Sequence, residues 1–117
     1  MSDLIKRYLA CWNETDAVTR QRLIAEHWAP GATYVDPMVD IAGHEALNAT
    51  IAAVQAKFPG FVFTPAGPVD AHHDVARFQW GLGPVGAEPL VVGFDVVTTD
   101  RDGRIRSVVG FLDRVPG

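Results

Sequence analysis

The apolar residues of this chain change period once, at Pro59-Gly60, and no other feature constrains the fold as strongly. Before that point they recur every three or four positions, the spacing of helices with one buried face. After it they recur every second position, the spacing of strands with one buried face. Helices first and antiparallel strands afterwards is the α+β arrangement. The chain has 117 residues, which makes a single domain over 1–117. A domain this long buries roughly two-thirds of its unfolded surface, enough for a core and one cavity.

The element boundaries follow from caps and breakers. Ser2 is the expected cap of a first helix that ends at Asn13, with Leu4, Ile5, Tyr8, Leu9 and Trp12 on its buried stripe. Asp16 caps a second helix reaching Trp28, with Val18, Leu23, Ile24 and Trp28 facing inward, and Pro30-Gly31 breaks it. A short strand over 33–35 stops at Asp36-Pro37, and a third helix over 43–57 carries Leu47, Ile51, Val54 and Phe58. Strands are expected from Phe61, over 75–82, over 90–98 and over 104–115, with Asp102-Gly103 as a hairpin turn. Three helices cannot cover both faces of such a sheet, so one face is left to close a cavity or to meet another subunit, and a homodimer is the expectation.

Composition excludes several classes. Net charge is −4 and the ten basic residues are scattered, with Arg101, Arg104 and Arg106 the densest group. Nucleic-acid and anionic-membrane partners, which need a basic face, are therefore not expected. No apolar run approaches the ~18 residues needed to span a bilayer. Met1-Ser2-Asp3 lacks a signal-peptide pattern, and Cys11 is the sole cysteine, expected as a buried, inert thiol. A cytoplasmic location is the expectation. Glycine-rich phosphate loops, Gly-x-Ser-x-Gly and Cys-x-x-Cys do not occur. His72-His73 reads as a hairpin tip, His44 as a helix-start residue and His27 as a surface or rim residue. No metal and no cofactor are expected.

What remains is polar residues inside apolar elements: Tyr8 on the first stripe, Asp36 ending a strand, and Asp95 within the apolar run 90–97. A carboxylate in an apolar strand is costly unless it is paired or protonated, which makes Asp95 the most informative of the three. Each also has a plain structural reading. Asp36-Pro37 can be a turn, Tyr8 a core tyrosine, and Asp95 a partner of Arg77 or of the dimer partner across the sheet.

The block Tyr8-Leu9-Ala10-Cys11-Trp12-Asn13-Glu14-Thr15-Asp16 resembles the first-helix signature of SnoaL-like proteins. Tyr34-Val35-Asp36-Pro37 is similar to their following strand and turn. Gly93-Phe94-Asp95-Val96-Val97 with Asp100-Arg101-Asp102-Gly103-Arg104-Ile105 resembles their closing hairpin. The resemblance implies the fold of nuclear-transport-factor-two-like proteins, a cone of curved sheet and three helices around an apolar pocket. Within that superfamily the ketosteroid isomerases are the sharpest match. By that resemblance Asp36 falls on the base, Tyr8 on the phenol donor and Asp95 on the neutral carboxylic acid. The SnoaL-type polyketide cyclases place their acid/base aspartate at the position of Asp95.

The expected pocket wall is Trp12, Trp28, Leu47, Ile51, Phe58, Phe63, Phe78 and Trp80. Ile51 stands where the isomerases carry a supporting tyrosine, and the three tryptophans narrow the space. The implied function is cofactor-independent proton transfer, as an isomerase or cyclase, on a small hydrophobic carbonyl compound such as an enone, lactone or polyketide fragment. A non-catalytic ligand-binding module and a dimerisation module are the other readings.

Overall fold

In the computed structural model, which describes residues 2–116, α1 spans Ser2–Asn13 and α2 spans Ala17–His27. The side chain of Ser2, expected as the first cap, lies outside the described part. Asp16 caps α2: its Oδ2 accepts from the Thr19 N–H at 2.9 Å and from the Thr19 hydroxyl at 2.8 Å. That satisfies a donor the first turn would otherwise leave free.

The helix stops one residue short of the expected end. Trp28 is already extended and opens β1, Trp28–Val35, where its partner is Ile105. Sheet pairing and complete burial of the indole outweigh the helical pattern there. Pro30-Gly31 consequently lies inside β1, where the ladder is interrupted between Trp28 and Thr33. Such an interruption suits a residue that has no N–H to donate. Val18, expected inside, is 58% exposed.

Arg20 takes the inward place instead, beside Ile24. Its guanidinium donates to Asn48, to the Glu14 carbonyl and to Gln55 Oε1. Asn48 and Gln55 belong to α3, His44–Lys57, which follows Gly43 at φ 92°. Gln55 in turn donates to the carbonyls of Trp12 and Glu14. The buried charge thus ties the α1–α2 connection to α3.

The strands after β1 are β2 Asp40–Ala42, β3 Phe61–Pro65, β4 Asp70–His72, β5 Val75–Pro84, β6 Val91–Thr99 and β7 Ile105–Arg114. β2 and β4, three residues each, are too short to show a period, and the sequence reading missed them. The order is β2-β1-β7-β6-β5-β3, with β4 on β5. Only β1–β7 is parallel. The expected α+β class of three helices on a mixed sheet is what the chain forms.

Alternation along β6 turns Val91, Gly93, Asp95 and Val97 inward. On β5 the inward set includes Ala76, Phe78, Trp80 and Leu82. The opposite face pairs Phe94 with Phe111 and Val96 with Val109, and none of the described helices covers it.

Candidate active site

Tyr8 lies on the inward stripe of α1, its ring packed edge-on to Phe78 with centroids 5.5 Å apart and tilted against Trp28 at 5.8 Å. That packing aims the hydroxyl at β6, where it donates to Asp95 Oδ2 at 2.6 Å. Both residues are only 2% exposed. Asp95 Oδ1 is buried with no hydrogen-bond partner, as are the indole nitrogens of Trp12 and Trp80.

Burial pushes the Asp95 carboxyl up to about 6. The Tyr8 hydroxyl and the nearby Trp80 indole pull it down, and the charge of Asp36 adds to the rise. Burial and the neighbouring carboxylate hold Tyr8 well above the usual phenol range, so it stays protonated. A carboxyl near 6 is mostly ionised at neutral pH, yet basic enough to take up a proton and return it.

Asp36 stands at the end of β1, in a different setting. Its Oδ1 accepts the N–H groups of Met38 at 2.8 Å and Val39 at 3.0 Å, a turn closed by the side chain. Its Oδ2 accepts the Tyr34 hydroxyl at 2.7 Å. The turn reading of Asp36 is therefore what the geometry shows, and the same residue lines a cavity. Tyr34, which the sequence reading did not single out, is held well above the usual phenol range by burial and by both aspartates.

The two aspartates flank one glycine. A Cβ built on Gly110 would stand 2.7 Å from Asp95 Oδ1 and 3.5 Å from Asp36 Cβ. Gly110 pairs directly with Asp95 across β6–β7. Its lack of a side chain lets both carboxyl groups approach the same stretch of β7. No sequence period marks it.

Tyr8, Asp36 and Asp95 all line one cavity of about 910 Å³, within the range of small-ligand pockets. Trp12, Phe58, Phe63 and Trp80 contribute to its wall, as do Val54, Leu82 and Val91. Trp28, Leu47, Ile51 and Phe78, expected in that wall, do not line it. They are fully buried core residues behind it, two of them supporting the Tyr8 ring. Lys57 is exposed at the mouth, its Nζ 5.8 Å from the Phe58 ring centroid.

Other side chains take structural places. Arg77 binds Asp70 at 3.0 Å on the surface, so its pairing with Asp95 does not occur. His44 Nε2 lies 3.0 Å from the Trp28 carbonyl and 2.9 Å from that of Ala29, which requires the donor tautomer there. His73, at φ 50°, turns the tip between β4 and β5. Cys11 is buried, and burial pushes its thiol up to about 11. Among the described residues no three His, Cys, Asp or Glu side chains cluster in a way that would hold a metal ion. No described helix is long and apolar enough to cross a membrane.

Three helices on a mixed sheet, with one apolar cavity that has carboxyl groups in its wall, make the fold of nuclear-transport-factor-two-like proteins. The SnoaL-like domain model matches residues 5–108, and the chain belongs to that family. A SnoaL-like family protein from Agrobacterium tumefaciens str. C58, provisionally called an isomerase, shares 40% identity over 95% of each chain at a TM-score of 0.90. A protein from Sinorhizobium meliloti, provisionally called a polyketide cyclase, superimposes at 0.69 with 20% identity, covering 92% of this chain and 93% of that one. A second such protein, from Jannaschia sp. CCS1, superimposes at 0.71 with 18% identity, covering 96% and 86%. At those identities the last two speak to the fold alone. No curated protein matches the chain.

Proposed function

We propose that this protein is a cofactor-independent proton-transfer enzyme, an isomerase or cyclase, acting on a small hydrophobic carbonyl compound. The observation that carries this reading is Asp95: a buried carboxyl near 6, one oxygen fixed by Tyr8 and the other unpartnered, in the wall of an apolar cavity. Asp95 takes the proton from carbon next to the ligand carbonyl. The C–H electron pair moves into the enolate, and the same carboxyl returns the proton to a carbon of the product. Tyr8 orients the carboxylate. Asp36, with three donors on its oxygens, keeps the turn and contributes negative charge beside Asp95.

The test is hydrogen exchange in heavy water on a panel of cyclic ketones and enones, followed by loss of the α-proton NMR signal. Protein-dependent exchange that falls by about two to four decades in Asp95→Asn is the expected result. A panel that binds without exchanging would leave the second reading, a ligand-binding module. That reading has its own support, since Tyr8 and Asp95 are nearly closed off.

The uncovered sheet face supports a homodimer. Val109 and Phe111 on it are 42% and 53% exposed, beside Phe94 and Val96. Light scattering is expected to give twice the chain mass at micromolar concentration, and Val109→Asp to give a monomer. A monomeric parent chain would remove the dimer.

A further inference from the structure

An enolate needs hydrogen-bond donors at its oxygen, and almost every donor in the cavity wall is already committed. Tyr8 donates to Asp95 and Tyr34 to Asp36. The Thr50 hydroxyl donates to the Ala46 carbonyl at 2.8 Å. The Met38 and Val39 N–H groups serve Asp36. Asp95, near 6, is mostly ionised at neutral pH and offers no proton of its own. Lys57 is solvated at the mouth. Among the side chains lining the cavity, that leaves the indole N–H groups of Trp12 and Trp80, both buried and without a partner.

Their placement fits the need. The Trp80 indole is close enough to Asp95, and that of Trp12 to Tyr8, to favour the ionised form of each neighbour, yet neither makes a hydrogen bond. Both rings pack against Phe63 at centroid distances of 5.3 Å, so they form one aromatic wall beside the Tyr8–Asp95 pair. A buried donor left unpartnered is costly, and two beside the Tyr8–Asp95 pair make a site that lacks its acceptor. Trp28 carries the third unpartnered indole, but it lies outside the cavity, with its N–H toward the Cys11 thiol.

We infer that the indole N–H groups of Trp12 and Trp80 form the receiving site for the ligand's carbonyl oxygen, next to the unpartnered oxygen of Asp95. This rests on the proton-transfer reading and narrows its substrate class. Indole N–H donates and never accepts, so the site takes a ketone, ester or enone oxygen and discriminates against the same frame without one. Shielding from water strengthens a bond formed there. In this arrangement the two tryptophans are specificity-determining residues, and their bulk is incidental.

The test uses α-tetralone and tetralin, a bicyclic ketone and its oxygen-free frame. The chain has three tryptophans, hence three indole N–H signals in NMR correlation spectra. Tetralone is expected to move the Trp12 and Trp80 signals and to leave that of Trp28, while tetralin moves none in the hydrogen-bonding direction. In Trp12→Phe and Trp80→Phe, which keep a flat ring, the ratio of tetralone to tetralin affinity is expected to fall about tenfold. Tetralone binding with the Trp12 and Trp80 signals unmoved would overturn the oxygen site and leave the pocket reading standing. Failure of both compounds to bind at millimolar concentration would overturn both.

Discussion

Two tyrosine–aspartate pairs stand on either side of Gly110, each with the phenol donating to the carboxylate, and they differ in the setting of the aspartate. Tyr8–Asp95 joins residues 87 apart in sequence, inside the protein, with one carboxylate oxygen left free. Tyr34–Asp36 joins residues two apart, at a strand end, with a turn's backbone satisfying the carboxylate. The same two side chains thus make a buried, titratable centre in one place and a turn-closing corner in the other. The difference lies in burial and donor count: Asp95 is buried with one donor, while Asp36 carries three at a strand end.

The largest expected contrast is in rate. Asp95→Asn is expected to cut carbonyl α-proton exchange by about two to four decades, and Asp36→Asn by less than about tenfold. Equal losses would return Asp36 to the role of base that the isomerase resemblance implies.

Stability should change in the opposite direction to rate. Asp95 binds its proton more tightly folded than unfolded, so it costs the fold nothing below the ordinary carboxylate range. The cost then grows as pH rises through about 6 and reaches about 3 kcal/mol at neutrality. Asp95→Asn removes that cost. Its stability relative to the parent chain, from urea denaturation, is expected to be near zero change at pH 4 and a gain of up to about 3 kcal/mol at pH 7. A pH-independent difference would mean that Asp95 is not desolvated.

The glycine between the pairs comes next. Gly110→Ala forces a methyl against Asp95 Oδ1 and is expected to cost about 2 kcal/mol in the same denaturation experiment. The smallest effects separate the tyrosines. Tyr8→Phe removes a donor from the ionised form, so Asp95 should titrate higher than about 6 by carboxyl NMR. Tyr34→Phe should leave that titration where it is and cost about 1 kcal/mol through Asp36.

The fold was largely legible, because period and caps are local. The stripes of α1 and α3, the Asp16 cap, the inward set of β5 and the Asp102-Gly103 turn follow from residues a few positions apart. The misreadings sit where distant partners decide. Trp28 joined a strand because Ile105 pairs with it, and Arg20 went inside because Asn48 and Gln55 receive it. At the site, residue types and the resemblance pointed to Tyr8, Asp36 and Asp95. They could not reveal that Tyr8 donates to Asp95, that Tyr34 donates to Asp36, or that Gly110 separates the carboxyl groups. Those facts depend on the strand register.

The parallel insertion of β7 between β1 and β6 bears on how this chain is made. While a ribosome has delivered only the residues through β6, both neighbours of the missing strand present open, unpaired edges, and the cavity lacks Gly110 and Leu112 from its wall. Such edges invite association between chains until they are filled. Closing the gap joins segments about 75 residues apart in sequence, from Trp28 and Ile105 to Val35 and Val109, a long loop that slows folding. The cavity therefore assembles only after synthesis has passed the final strand, and a nascent chain has to be kept from its neighbours until then.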